Sequence, residues 1–310
     1  MTAKTFTPTT SAALSVCLKV FEHRRWEFAI FASLMIHKMN RRQILKTLTM
    51  LVLLLFAGIQ MKAQSEHPWS GTRVAIFGDS ISDENANNGK EKYYWYMSRD
   101  IGIVPYSYAE NGRQWDRIPV QAERLEKEHG QDFDAILILM GTNDFNAGVN
   151  VGEWYREETV QVEAAAGEMK SMKTRQHRTL VFDNSTFKGR INIAMDLLKK
   201  MFPRKQIILM TPLHRGYANF AENNVQPDEN YTNSCGEYVD AYIQAIKEAG
   251  NIWSVPVIDL NAISGLLPTM SEQAEYFPHD TDKLHPSDEG HARLAKVLEA
   301  QLRSIAPRTE

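Results

Sequence analysis

Arg73-Val74-Ala75-Ile76-Phe77-Gly78-Asp79-Ser80-Ile81-Ser82 reads as a strand that ends in a tight turn carrying a serine. The run Val74–Phe77 has no polar alternation and includes two β-branched residues, which suits a strand covered on both faces. Gly78 lets the backbone turn sharply and presents Ser80 at the strand's carboxyl end. Working outward, four further runs have the same character: Ile103–Tyr108, Ala135–Met140, Gln206–Met210 and Val255–Leu260. Between and after them, helical periodicity covers Glu91–Asp100, Ile118–His129, Arg190–Met201, Glu237–Ala249 and Ser287–Ile305. Strands alternating with helices predict parallel βαβ units, hence an α/β protein with a three-layer α/β/α sandwich around a mostly parallel sheet of about five strands. Two connections, 145–188 and 213–236, are much longer than the usual few residues, and are expected to be rim insertions or surface segments.

The chain has 310 residues, 43% hydrophobic and 24% charged, which excludes collagen-like, low-complexity and wholly disordered classes. A net charge of -3 conceals an asymmetry. Residues 1–64 hold nine Lys/Arg and two Asp/Glu, leaving 26 basic against 36 acidic side chains in residues 65–310. An acidic body argues against nucleic acid as a partner, because such affinity rests on cations neutralising phosphates. With only Cys17 and Cys235, neither a disulfide framework nor a Cys-rich zinc site is available. The basic leader reads as targeting. Arg41, Arg42 and Lys46 precede an apolar run, Leu48–Ile59, and Ala63 offers a small residue for cleavage. Twelve apolar residues are few for a membrane span, which needs roughly 18–20. The expectation is a signal peptide within 1–64, with synthesis starting at Met39, export to the periplasm or medium, and no stable membrane insertion after cleavage. The single domain then runs 65–310. An uncleaved anchor is the alternative.

Chemistry in such a fold gathers outside the carboxyl ends of the strands. The first strand is followed by Gly78-Asp79-Ser80, the second by Asn111-Gly112, the third by Gly141-Thr142-Asn143-Asp144, and the approach to the last helix holds Asp282-Lys-Leu-His285. A serine hydroxyl needs a base to become a nucleophile. His285 can serve, with Asp282 accepting its second ring N–H and fixing the tautomer. Asn143 and Gly112 can donate hydrogen bonds to a developing oxyanion. Each piece alone also reads as a turn or a helix cap. His279, Asp280, Asp282, His285 and His291 together keep a metal-site reading open, though no helical His-Glu-x-x-His pattern is present.

Taken together, these four blocks resemble the SGNH, or GDSL, hydrolase superfamily of serine esterases. The resemblance runs from Arg73 to about Ile305, with Ile81 where the family's name has leucine. It implies a flavodoxin-like fold, Ser80 as nucleophile, His285 as base and Asp282 as its orienting acid. The Ser80 N–H, Gly112 and Asn143 would form the oxyanion hole. No cofactor and no metal are implied. The expected activity is hydrolysis of carboxylic esters through an acyl-enzyme, with short acyl groups, acetyl above all, on carbohydrate as substrate. Trp115, Trp154 and Tyr155, with Tyr217 and Tyr231, are the candidate aromatic faces for sugar rings. The alternatives are a lipolytic esterase, a metal-dependent phosphoesterase and a non-catalytic carbohydrate-binding relative.

Overall fold

The computed structural model describes residues 67–307, except 87, 88, 166 and 168, together with Lys46 and Met50. The signal peptide, the Met39 start and the cleavage region expected within 1–64 therefore lie outside the described residues.

Five strands build the central sheet: β1 (Arg73–Gly78), β2 (Val104–Ser107), β3 (Ala135–Leu139), β6 (Gln206–Met210) and β9 (Val257–Ile258). Their order is β2-β1-β3-β6-β9, and every pairing is parallel. The last strand is far shorter than its apolar run suggested, because Leu260 already begins a short helix, α6 (Leu260–Ile263). Strand residues alternate between two cores. Val74 and Ile76 of β1 join the core beneath α1 (Tyr93–Ile101) and α7 (Asp288–Leu302). Ala75 and Phe77 enter the opposite core with α2 (Ile118–His129), α4 (Phe187–Met201) and α5 (Val239–Trp253). This alternation explains the unbroken apolar runs, since a strand covered on both faces needs apolar residues at every position.

The chain enters the sheet at β1 and moves first to one side (β2), then to the other (β3). The crevice beyond β1 is therefore the switch point where loops diverge and a ligand can enter. Arg73 fixes the register of this centre. Its N, Nε and Nη2 all donate to the Asp134 carboxylate, at 2.8, 3.1 and 2.9 Å, tying the start of β1 to the residue before β3. From His67 onward the described chain belongs to one compact unit, Glu66–Glu310.

Both long connections contain hairpins that the sequence reading did not foresee. In 145–188, β4 (Tyr155–Ala164) pairs antiparallel with β5 (Ser171–Leu180). Most of its residues are exposed and both faces carry polar groups, so it lacks the period-two apolar signal by which strands are found. Gln161 donating to Thr174 at 2.7 Å and Gln176 donating to Thr159 at 3.0 Å join its strands across one face. In 213–236, β7 (Ala218–Ala221) and β8 (Asn224–Gln226) form a smaller hairpin. A short helix, α3 (Thr142–Asn146), follows β3 directly.

Gly78 is needed for space as well as for turning. It is the last residue of β1, and a Cβ there would stand 2.9 Å from both the Leu139 carbonyl oxygen and Ser82 Oγ. Gly78→Ala should cost about 1–3 kcal/mol, the usual range for overpacking a tight interior. Urea denaturation checks this, and an unchanged midpoint would show that the β1 end has slack.

Candidate active site

The turn after β1 is wound like the start of a helix, with Ser82 and Asp83 N–H groups both donating to the Asp79 carbonyl, at 3.0 and 2.9 Å. Ser80 sits on this turn and is 4% exposed. Its Oγ lies 2.8 Å from His285 Nε2, across 205 residues of sequence. His285 Nδ1 lies 2.9 and 3.1 Å from the two Asp282 oxygens. An ionised carboxylate only accepts, so Nδ1 carries the proton and donates to Asp282. Nε2 of the neutral ring then holds a lone pair, and Ser80 Oγ–H donates to it. Asp282 also accepts from the backbone N–H groups of Leu284 and His285, at 3.2 and 3.1 Å. Burial pushes the Asp282 carboxyl up, but the bond from His285, its charge and these backbone donors more than offset that, leaving the group below its ordinary value. It stays the negative partner that the imidazole requires. Just beyond, the Ser287 side chain caps α7 by accepting from Gly290 N–H at 3.2 Å, which fixes where this loop ends.

Three rim loops are fastened to one another. Glu110 N–H donates to the Gly78 carbonyl at 3.1 Å, and Asn111 N–H to the Asp83 carboxylate at 2.9 Å. These bonds hold the loop after β2 against the turn after β1. Gly112, at φ +74, occupies the left-handed region that glycine alone enters freely. On its other side, Asn143 Nδ2 donates to the Arg113 carbonyl at 3.1 Å and Gln114 Nε2 to the Asn143 carbonyl at 3.3 Å. Asp144 accepts from Trp115 N–H at 3.1 Å and from Arg190 of α4 at 2.8 Å, while Arg190 also donates to Gln114 at 2.7 Å. Arg190 and Gln114 were not anticipated from the sequence. Neither belongs to a motif, and 76 residues separate them.

A cavity of about 230 Å³ opens beside this rim, lined by Ser80, Asp282, His285, Asn111, His279, Ala86 and Phe220. Ala86, Asn111 and Phe220 were not anticipated either. Phe220 comes from the β7–β8 hairpin, and its ring centroid lies 5.3 Å from that of His285. Neither competing histidine bonds Ser80: His291 lies away from the cavity, and His279 lines it with its ring turned to another partner. His291 is fully buried and stacks on Tyr93 with centroids 6.2 Å apart, and His279 Nδ1 bonds Thr281 Oγ1 at 2.9 Å. Among the described residues, no three His, Cys, Asp or Glu side chains converge in a way that could hold a metal ion.

The aromatic residues expected to meet a sugar are not at this cavity. Trp115 is fully buried in the α2/α4 core, with its indole N–H donating to the Met140 carbonyl at 3.2 Å, so it has no face to offer a ligand. Trp154 is 7% exposed and donates to Glu248 at 2.7 Å. Tyr155 packs against the same core and lies beneath the Arg178 guanidinium at 4.2 Å. All three follow glycine- or turn-rich segments that resemble rim loops in sequence, yet their large apolar area draws them into the core. Tyr217 and Tyr231 remain exposed. Cys235 is a free, half-buried thiol whose Sγ lies 3.1 Å from Asn233 Oδ1.

With fold and geometry in view, known proteins provide a comparison. Residues 76–293 match the GDSL-like lipase/acylhydrolase family. The chain belongs to this family. It is accordingly an ester hydrolase. No curated protein matches the sequence. Among solved structures, a protein from Lactobacillus plantarum aligns with 21% identity and a TM-score of 0.57, covering 76% of this chain and 98% of its own. A possible lipase from Chitinophaga pinensis DSM 2588 aligns with 19% identity and a TM-score of 0.55, covering 75% and 98%. At such identities the likeness concerns the fold, the five-stranded parallel sheet with helices on both faces. Among the described residues no helix is long and apolar enough to cross a membrane.

Burial shifts two carboxyls of this family member's rim. Asp79 is pushed up to about 6 by desolvation, although the Ile81 N–H and the charges of His285 and Arg215 pull it back. Asp144 is pushed up to about 7, again by burial, against the opposing pull of Arg190. A carboxyl raised in the folded state holds its proton more tightly than in the unfolded chain, where the value is 3.8. Its contribution is therefore least harmful below about pH 4 and grows destabilising as pH rises through about 6. Asp79→Asn should be more stable than the parent at about pH 8 by about 1–3 kcal/mol, with the gap closing toward pH 4. Urea titrations across this range test it; a variant less stable than the parent at pH 8 would refute a raised Asp79.

Proposed function

We propose that the protein is an exported serine esterase that removes short acyl groups, acetyl above all, from carbohydrate through a covalent acyl-enzyme. The observation that carries the mechanism is the unbroken chain from Ser80 Oγ through His285 to Asp282, with links of 2.8 and 2.9 Å. His285 Nε2 takes the Ser80 proton as Oγ attacks the ester carbonyl carbon. Asp282 holds the tautomer and stabilises the imidazolium that forms. The carbonyl oxygen becomes an oxyanion, for which Ser80 N–H, Gly112 N–H and the second N–H of Asn143 Nδ2 are the donors. Gly112 suits this role: its N–H meets no acceptor among the described residues. Collapse of the intermediate expels the alcohol, which receives the proton from His285. Water, activated by the same base, then releases the acid and regenerates Ser80.

Support for a short acyl group comes from the size and lining of the cavity. At about 230 Å³ the cavity is small for a long chain, and Ala86 and Phe220 are the apolar residues of its lining beside Ser80, Asn111, His279, Asp282 and His285. Export rests on the leader alone, whose basic, apolar and small-residue regions follow in the order a signal peptide has.

Ser80→Ala should abolish ester hydrolysis and labelling by a fluorophosphonate while leaving the melting temperature close to that of the parent. His285→Ala should lose about 10³-fold or more in turnover, and Asp282→Asn should also be severe. His291→Ala should retain far more activity. Retained activity in Ser80→Ala, or in His285→Ala, would overturn the mechanism. A preference for octanoyl over acetyl esters of one alcohol by tenfold or more would favour a lipolytic enzyme instead.

Export has a separate test. Protein secreted from a bacterial host should begin between about Lys62 and Glu66, as read by N-terminal sequencing. Retention of Met1 or Met39 on the exported protein would refute cleavage.

A further inference from the structure

The β7–β8 hairpin is fastened by its backbone to the loop that carries Asp282 and His285. Gly216 N–H donates to the Lys283 carbonyl at 2.8 Å, Lys283 N–H to the Tyr217 carbonyl at 3.0 Å, and Asn219 N–H to the Thr281 carbonyl at 2.8 Å. Ala218, fully buried, faces Asp282 in an antiparallel bridge. Gly216 permits this closeness, because a Cβ there would stand 2.6 Å from Lys283 Cβ. The segment thus behaves as an added strand beside the His285 loop, and its side chains are held at a fixed distance from the imidazole. Phe220 extends from it into the cavity, 41% exposed, with its ring tilted 55° to that of His285.

A single exposed phenyl is ordinary on a surface, but this one stands in the cavity that holds Ser80 and His285, where a substrate can cover its apolar face. The reaction itself indicates which part of the substrate reaches it. His285 must hand its proton to the departing alcohol oxygen, so that oxygen comes within about 3 Å of Nε2. The group bearing the oxygen then comes within reach of Phe220, whose ring centroid is 5.3 Å from that of His285. Asn111 and His279, on the same cavity wall, offer polar partners around this face. A flat apolar ring rimmed by hydrogen-bonding groups matches a sugar ring, which has an apolar face of C–H groups edged by hydroxyls.

We propose that Phe220 is the specificity-determining residue for the alcohol half of the ester, stacking on the ring of an acylated sugar as the ester oxygen meets His285. This rests on the serine-esterase reading above, and it assigns to the second insertion the aromatic platform that Trp115, Trp154 and Tyr155 do not provide. On this assignment Phe220 governs the choice of alcohol and not of acid.

The test compares substrates that share one half. The parent protein, Phe220→Ala, Phe220→Leu and Phe220→Trp are assayed on an acetylated oligosaccharide, ethyl acetate and ethyl butyrate. Fluorophosphonate labelling of Ser80 and the melting temperature report whether each variant is folded and its nucleophile active. The ratio of kcat/KM for the acetylated oligosaccharide over ethyl acetate should fall about tenfold in Phe220→Ala and in Phe220→Leu, mainly through KM, and recover in Phe220→Trp. The butyrate-to-acetate ratio should stay within about twofold of the parent. An equal loss on both acetates would show that the ring only supports His285, and a changed butyrate-to-acetate ratio would place it on the acyl side; either overturns the proposal. A parent that labels at Ser80 and hydrolyses ethyl acetate yet ignores the acetylated sugar also overturns it while leaving the esterase reading intact. A parent that neither labels nor hydrolyses any ester refutes the reading beneath it.

Discussion

The hydrogen bond between Ser80 and His285 joins residues 205 positions apart, and the architecture is arranged around making it possible. It requires β1 inside the sheet, so that its end opens into a crevice rather than onto an edge. It also requires α7 to begin where the loop ahead of it reaches that crevice. Both conditions are met by packing. α7 shares a core with β1 and α1, and its Ser287 cap fixes the first turn next to His285. Shifting the helix by one residue would rotate its buried face by about 100° and carry the imidazole away from Ser80.

Around that bond the rim holds more buried charge than its stability would favour. Asp79, Asp144 and Arg215 are almost wholly enclosed, and burial shifts each toward its neutral form. Lys92, also enclosed, is pushed down to about 8 for the same reason. Such groups persist because most of their polar atoms find partners, although Arg215 Nε is buried without one among the described residues. Arg215 donates to the Thr142 carbonyl at 3.1 Å and to Gln226 at 2.8 Å, and its guanidinium lies 4.8 Å over the Phe145 ring. Asp144 ties the start of α3 to the Trp115 backbone and to α4. Alongside a less stable rim, the loops bearing Ser80, Gly112 and Asn143 lose their freedom to drift apart, and the groups they carry are held in place. The two large apolar cores, one on each face of the sheet, carry the stability that this arrangement spends.

The two insertions behave differently although their sequences look alike. The β4–β5 hairpin is held at its base by Asn192, which donates to the Trp154 and Val181 carbonyls at 3.2 and 2.9 Å. Beyond that base it extends as a largely exposed ribbon. The β7–β8 hairpin instead adds its backbone to the His285 loop and places Phe220 in the cavity. Polar composition with scattered aromatics describes both stretches, so composition cannot rank them. The distinction lies in which carbonyls and N–H groups find partners, and for the β7–β8 hairpin those partners are 60 or more residues distant, as Asn219 and Thr281 are.

Much of the molecule was legible in the sequence because the responsible forces are local or periodic. Val74–Phe77 and Ala135–Leu139 had to be apolar at every position to lie between two helical layers, which announced a parallel α/β sheet. Ser80 and Asn143 stand just after β1 and β3, Gly112 in the loop after β2, and Asp282 and His285 in the loop that leads into α7, where the fold class assembles a rim. The Asp282–His285 contact spans three residues, and its chemistry follows from their types. Tertiary structure alone decided the rest. A tryptophan after a glycine has the same sequence whether it faces a sugar or a core, and the free energy of burying a large ring chose the core for Trp115 and Trp154. The hairpins were hidden because β4 and β5 bury neither face, leaving no period to read. Arg190, Gln114 and Phe220 reach the rim through contacts that span the chain, fixed by the packing of α4 and the pairing of β7. Sequence sets what each residue can do chemically; which residues meet is settled by the packing that closes the two cores.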